Sequence, residues 1–305
     1  MGKIAFIFPG QGAQKAGMGK DFYENSAIAR ETYETASQLL GFSMEELCFE
    51  ENDRLDITEY TQAAMVTTSI AMLREMESQG YTCDVTAGLS LGEYCALVAC
   101  KAMAFEDAVK VVRERGVLMQ EAVPQGLGGM AAILGMTGEA VTVVTDTIQG
   151  VTVANYNCPG QIVISGEKAA VEEACVKLKD AGAKRTVALN VSGPFHSAML
   201  KEAGEKLGQV LDAVAVEEHE TPYVTNVTAS YITGAGEIKE LLQKQVYSSV
   251  MWEQSVQAMI ADGVDRFVEI GPGKTLASFV KKISREVFVN NVEKWEDLEG
   301  LKEFL

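Results

Sequence analysis

The residue types that could carry covalent chemistry meet in one pattern, Gly88-Leu-Ser-Leu-Gly92. Gly and Ser are common, so the context of a GxSxG pattern decides its meaning. Here a short apolar stretch at 85–87 precedes it and a helical stretch from 93 to about 101 follows. That is the setting of a nucleophile elbow, whose glycines permit a tight turn that lifts a serine oxygen to a helix N-terminus. An ordinary glycine-rich strand-to-helix turn is the alternative. A serine hydroxyl attacks only if a base takes its proton, and the chain has just two histidines. His219 lies in Glu217-Glu-His-Glu220, which reads as a solvated acidic surface. His196 follows Val191-Ser-Gly-Pro-Phe195, where a rigid Pro beside a Gly can aim a side chain into a cleft. By elimination the pair is Ser90 with His196.

Arg115 is the second informative residue. On a helix read over 106–123, apolar positions recur at Ala108, Val112, Met119 and Ala122, and Arg115 takes the i+7 place on that face. A buried guanidinium is costly unless paired, and its planar fork suits a carboxylate. Either an internal Asp or Glu or an anionic ligand therefore faces it. Two glycine-rich segments fail as phosphate sites. Gly271-Pro-Gly-Lys-Thr275 has Val268 where a phosphate loop needs glycine, and Gly10-Gln-Gly-Ala-Gln-Lys15 ends in lysine where a dinucleotide loop needs its third glycine.

These side chains need a frame. Ile4-Ala-Phe-Ile-Phe8 reads as a buried strand stopping at Pro9-Gly10, and 61–79 as a helix ending at Gly80. Strand 85–87 and the helices that follow extend the alternation, which predicts a parallel sheet. After Pro124-Gln-Gly-Leu-Gly-Gly129 the rhythm changes to strand 130–136, helix 138–148, strands 151–157 and 161–165, helix 167–181 and strand 184–191. That βαββαβ order is ferredoxin-like, with Cys158-Pro-Gly160 at its central turn. From Ser197 the chain returns to helices and short strands, including Arg266-Phe-Val-Glu-Ile270. The expected fold is α/β: a large α/β-hydrolase-like domain with a parallel sheet, residues 1–124 and 197–305, and a small inserted ferredoxin-like domain, residues 125–196.

Composition narrows the function. Lys and Arg number 26 against 43 Asp and Glu, a net charge of −17, which repels a phosphate backbone and excludes nucleic acid as a natural partner. The apolar run at 4–8 is too short for a signal segment, and no window approaches the roughly 18 apolar residues of a membrane helix. Cys48, Cys83, Cys95, Cys100, Cys158 and Cys175 form no CxxC pair, so a reducing cytoplasm is the simplest compartment. Scattered cysteines and two histidines predict no metal site.

Phe8-Pro-Gly-Gln-Gly-Ala-Gln14, Gly88-Leu-Ser-Leu-Gly-Glu93, Arg115-Gly116, Asn155-Tyr-Asn-Cys-Pro-Gly-Gln161, Gly193-Pro-Phe-His196 and Glu269-Ile-Gly-Pro-Gly273 occur together and in order. On these six motifs the chain resembles the malonyl-CoA:acyl carrier protein transacylases of bacterial fatty-acid synthesis and the related acyltransferase domains of polyketide synthases. The resemblance implies that Ser90 is the acylated nucleophile, His196 its base, and Arg115 the partner of the malonyl carboxylate, with Gln11 also at the substrate. It implies an oxyanion hole from the backbone N–H groups of Gln11 and Leu91, and a histidine oriented by the main-chain carbonyl of Gln245. Malonyl-CoA and the phosphopantetheine thiol of acyl carrier protein are the implied substrates of a ping-pong transfer without metal, redox nucleotide or prosthetic group. Carrier proteins are typically acidic, so docking on this acidic chain needs a local basic patch, for which Lys281, Lys282 and Arg285 are the candidates. One position departs from the family, which usually has His where this chain has Leu89. Two rival classes predict different features: a serine esterase an acidic residue placed between Ser and His, and a non-catalytic carrier-docking module the loss of the pair.

Overall fold

The structure, a computed structural model, describes residues 2–124 and 126–304. Its strands are β1 (Lys3–Phe8), β2 (Val85–Gly88), β3 (Gly128–Leu134), β4 (Val151–Cys158), β5 (Gln161–Glu167), β6 (Arg185–Ala188), β7 (Tyr223–Val224), β8 (Tyr231–Ile232), β9 (Val264–Ile270) and β10 (Phe288–Val292). β1 is apolar on both faces and its last four residues are buried, as a central strand covered on both sides requires. The larger sheet runs β10-β9-β1-β2-β7-β8, parallel throughout except for β8. Phe8 pairs with Gly88, so the chain segments carrying Gln11 and Ser90 leave the carboxyl edge of the sheet side by side, where open α/β sheets form their crevices.

One face of this sheet packs on the core built by helices Thr58–Ser78, Gly92–Ala99 and Phe105–Glu121. The other face buries Ala5, Ile7 and Phe267 against Trp252, Val256 and Phe279 of helices Trp252–Ala261 and Thr275–Ile283. The second sheet is antiparallel, β4-β5-β3-β6, with helices Gly138–Thr145 and Lys168–Asp180 over one face. This is the ferredoxin-like order read from the sequence. β4 is tied to the larger unit by backbone bonds from Tyr156 to Val250 and from Val250 to Ala154.

Several element ends differ from expectation by a few residues: the strand read over 130–136 spans Gly128–Leu134, and the helix read from 61 starts at Thr58. The helix read to 148 stops at Thr145, and the strand read over 184–191 pairs only over Arg185–Ala188. Leu189 N makes the last bond to β3, at the Met130 carbonyl (2.9 Å), and beyond it the chain carries Val191 and Ser192 along the wall of the central cleft. The expected segment limits at residues 1, 125 and 305 lie outside the described residues.

Candidate active site

The site is built from the elbow outward. Gly88 and Gly92 are required by close approach: a Cβ on Gly88 would lie 2.0 Å from the Gly92 carbonyl carbon, and one on Gly92 would lie 2.1 Å from the Phe8 carbonyl oxygen. Between them Ser90 is forced into the left-handed region, φ 51°. The Asn226 side chain fastens the turn, accepting from Ser90 N at 2.6 Å and donating to the Gly88 carbonyl at 2.7 Å.

Ser90 Oγ lies 2.8 Å from His196 Nε2. His196 Nδ1 lies 2.8 Å from the main-chain oxygen of Gln245, the last residue of helix Ile238–Gln245, where carbonyls have no partner in their own helix. A carbonyl only accepts, so Nδ1 carries the proton and Nε2 is left to accept from the serine hydroxyl. Burial first, and then the positive charge of Arg115, push the imidazole down to about 4. It is a neutral base at physiological pH.

Arg115 lies on the buried face with Ala108, Val112 and Met119, and its guanidinium is 1% exposed. The expected alternatives are decided by its partners. It donates to Gln62 Oε1 at 2.9 Å, to Gln245 Oε1 at 2.8 Å and to Ser90 Oγ at 3.2 Å. It forms no ion pair with a carboxylate among the described residues, and its Nε has no partner. Neutral amides hold the cation in place, and the buried Glu93 carboxylate acts on it only through space, without an ion-pair contact.

A cavity of about 470 Å³ opens over these groups, lined among others by Gln11, Leu89, Ser90, Arg115, Asn157 and His196. Gln11 and Leu91 both line it, and their backbone N–H groups donate to no other described residue. The Gln11 side chain donates to Thr58 Oγ1 at 3.4 Å. Leu89 lines the cavity and packs on the apolar cluster behind it. All six expected site residues are thus gathered in one place. Sequence reasoning missed Gln62, Glu93, Asn226 and the side chain of Gln245, polar residues in helices and a turn whose role appears only when the chain is folded. The one available signal was Glu93, a carboxylate inside an otherwise apolar helix.

His219 corrects its sequence reading. Glu217, Glu218 and Glu220 are exposed, but the His219 ring is only 9% exposed, turned inward beside Tyr223 with its nitrogens facing the carbonyls of Glu217 and Ile232. The segment 271–275 is closed to phosphate for a local reason: the Glu269 carboxylate occupies the helix start, accepting from Leu276 N at 3.1 Å and Ala277 N at 2.7 Å. Among the described residues no group of three or more His, Cys, Asp and Glu is placed to hold a metal, and no helix is long and apolar enough to cross a membrane.

The family model described as an acyl transferase domain matches residues 5–298. The chain belongs to the acyl transferase family. It is 50% identical to the malonyl CoA-acyl carrier protein transacylase of Bacillus subtilis (strain 168), over 94% of this chain and 92% of that one. It is 43% identical to the enzyme of that name from Staphylococcus aureus (strain MRSA252), over 99% of both. Among solved structures, the malonyl CoA-acyl carrier protein transacylase of Clostridium perfringens superposes with a TM-score of 0.96 at 44% identity, covering 99% of this chain and 96% of that one. A malonyl-transacylase in complex with a type II PKS acyl-carrier protein superposes with a TM-score of 0.96 at 36% identity, over 99% of this chain and all of that one (100%). The sequence-level resemblance therefore holds over the length of this acyltransferase.

Proposed function

We propose that this acyltransferase moves the malonyl group of malonyl-CoA to the phosphopantetheine thiol of acyl carrier protein through a malonyl ester on Ser90. The observation that carries the reading is the meeting of Arg115, buried and without a carboxylate partner, with the Ser90–His196 pair at one oxygen atom. A cation without an ion-pair contact beside a nucleophile suits an acyl group that ends in a carboxylate.

The malonyl carboxylate pairs with Arg115, which sets the thioester carbon against Ser90 Oγ. The hydroxyl proton passes to His196 Nε2 as Oγ forms its bond to that carbon, and the carbonyl oxygen becomes an oxyanion facing the N–H groups of Gln11 and Leu91. Collapse breaks the C–S bond, and CoA leaves with the proton returned by His196. In the second half-reaction His196 takes the proton of the carrier thiol, the sulfur attacks the Ser90 ester, and the departing serine oxygen recovers the proton. Both half-reactions use only the two substrates and no resident cofactor. A reducing cytoplasm, in keeping with six free cysteines, is the setting we infer for this transfer. Residues 125–196 act as an inserted domain that supplies one wall of the cleft. Lys281, Lys282 and Arg285 are exposed, but they lead into the start of β10 and so lie at the edge of the parallel sheet opposite the elbow, away from the mouth of the cleft.

Intact-mass spectrometry after mixing the protein with malonyl-CoA, acetyl-CoA or methylmalonyl-CoA tests the reading. A malonyl adduct that disappears on addition of holo-carrier is expected. A protein that stays unmodified, or that hydrolyses all three thioesters without a thiol acceptor, contradicts it.

A further inference from the structure

The buried carboxylate of Glu93 takes no part in the transfer described above. Its side chain is fully buried in the first turn of helix Gly92–Ala99, beneath the elbow. Glu93 Oε2 accepts from Gln245 Nε2 at 2.7 Å and from Asn226 N at 3.2 Å, while Oε1 has no partner. It therefore touches two of the residues that hold the site, and none of the reacting atoms.

The contact with Gln245 has a directional consequence. A primary amide has one accepting end and one donating end of nearly the same shape, so its orientation is decided by its neighbours. The NH2 group of Gln245 faces Glu93 Oε2 and the Ser90 carbonyl, at 2.7 and 2.8 Å, both of which only accept. Its oxygen is thereby turned to Arg115, 2.8 Å away. In the flipped orientation the NH2 would meet a guanidinium, donor against donor, and the oxygen would meet two acceptors. Gln62, the other amide on Arg115, has only a weak lock, a 3.6 Å contact to the Met119 sulfur. Glu93 thus supplies the shortest orienting acceptor on this amide and attracts Arg115 only through space, which leaves the guanidinium free of an ion-pair contact and open to a ligand carboxylate.

We propose that Glu93 is a positioning residue for acyl selectivity: it fixes the Gln245 amide so that Arg115 is held, free of an ion-pair contact, in the attitude that receives a carboxylate-bearing acyl group. This rests on the reading of Arg115 as the carboxylate anchor. Burial pushes the Glu93 carboxyl up to about 7, and a proton on it has the unpartnered Oε1 to occupy. Oε2 then still accepts, so the lock operates in either protonation state.

The test compares Glu93→Met, of similar length but without an acceptor, with Glu93→Gln, whose amide oxygen can take the place of Oε2. Both are assayed for kcat and KM with malonyl-CoA and with acetyl-CoA, alone and in a Gln245→Met background. Glu93→Met should lower the malonyl-to-acetyl ratio of kcat/KM about tenfold, mainly through KM for malonyl-CoA. Glu93→Gln should keep the ratio within about threefold, and Glu93→Met should add nothing to the effect of Gln245→Met. Equal losses for both thioesters, or an unchanged ratio, overturn the proposal. If Glu93→Met does not fold, Gln245→Met decides alone, since it keeps the main-chain carbonyl on His196 and removes only the amide; an unchanged ratio there overturns the proposal. A parent enzyme with no preference for malonyl refutes the Arg115 reading itself, and a selective parent with insensitive variants refutes only the role of Glu93.

Discussion

Ser90 and His196 share a backbone state as well as a hydrogen bond: their φ angles are 51° and 57°, and Oγ and Nε2 lie 2.8 Å apart. Of the described residues only Lys101 and Ala229 are other non-glycine residues with positive φ. A left-handed L-residue costs roughly 1–2 kcal/mol and persists only where surrounding structure over-determines it. At Ser90 that structure is the glycine-flanked elbow with its Asn226 clasp. At His196 it is the turn after Pro194 and the bond from His196 N to the Val246 carbonyl, 3.2 Å. Both reacting side chains are aimed by strained backbone rather than by flexible rotamers.

Ser90→Ala and Ser90→Gly should both abolish covalent loading, since the hydroxyl is the atom that carries the acyl group. The two should differ in stability. Alanine keeps the steric cost of positive φ and glycine removes it, so Ser90→Gly should exceed Ser90→Ala by about 0.5–1 kcal/mol in urea denaturation. An acyl adduct on either protein removes Ser90 as nucleophile, and equal stabilities mean that no strain is stored at the elbow.

His196→Ala should lower transfer by roughly 10² to 10⁴, the usual contribution of a positioned base. The pH profile of the parent gives a finer check. With its imidazole held down to about 4, the base is neutral above that pH, so kcat/KM should rise with pH through about 4 and then stay level. Bound malonyl offsets the charge of Arg115, which is one cause of the depression, so the acid limb of kcat should lie at higher pH than that of kcat/KM. Limbs that coincide near the ordinary histidine value mean that neither burial nor Arg115 acts on this ring.

The nucleophile, the base and the buried arginine were legible because each breaks a local pattern: a serine between obligatory glycines, one histidine beside Pro194, a cation on an apolar helix face. Sheet and helix alternation gave the two-sheet architecture for the same reason, since periodicity is a local property. The amides of Gln62 and Gln245 and the Asn226 clasp were not legible. Their function lies in where a hydrogen-bond donor or acceptor ends up relative to residues as far as 155 positions away, and polar side chains in helices look alike until they are packed. The inward turn of His219 was hidden by its three glutamate neighbours for a similar reason.

Glu269 tests burial through stability rather than rate. Its carboxyl is pushed up to about 7, chiefly by burial, from an unfolded value near 4.5. A group raised in the folded state contributes stability that is fully present below about 4.5 and is lost as pH rises through about 7. Glu269→Gln carries no ionisable group and keeps an oxygen to accept from the helix start. The stability of the parent relative to this variant should therefore decline between about pH 5 and 8. Denaturation midpoints measured in parallel across that interval check it, and a constant or rising difference would falsify the assignment.

Arg115→Ala gives the sharpest test of the functional reading, because it separates a ligand-reading cation from a structural one. The guanidinium is buried, hydrogen-bonded to two amides and to Ser90 Oγ, and lacks a carboxylate partner among the described residues. Removing one member of a buried, hydrogen-bonded charge pair costs on the order of 2–5 kcal/mol, so loss of Arg115 should reduce malonyl transfer by a few hundredfold or more. Acetyl transfer should be kept or improved, since a methyl group cannot satisfy the cation that the parent leaves facing it. The Gln62 and Gln245 oxygens lose a donor in the variant, which lowers stability but acts on both thioesters alike. The ratio of kcat/KM values for malonyl-CoA and acetyl-CoA therefore isolates recognition from folding. If that ratio is the same in parent and variant, the carboxylate is read by another group and Arg115 serves only to hold Gln62, Gln245 and Ser90 together.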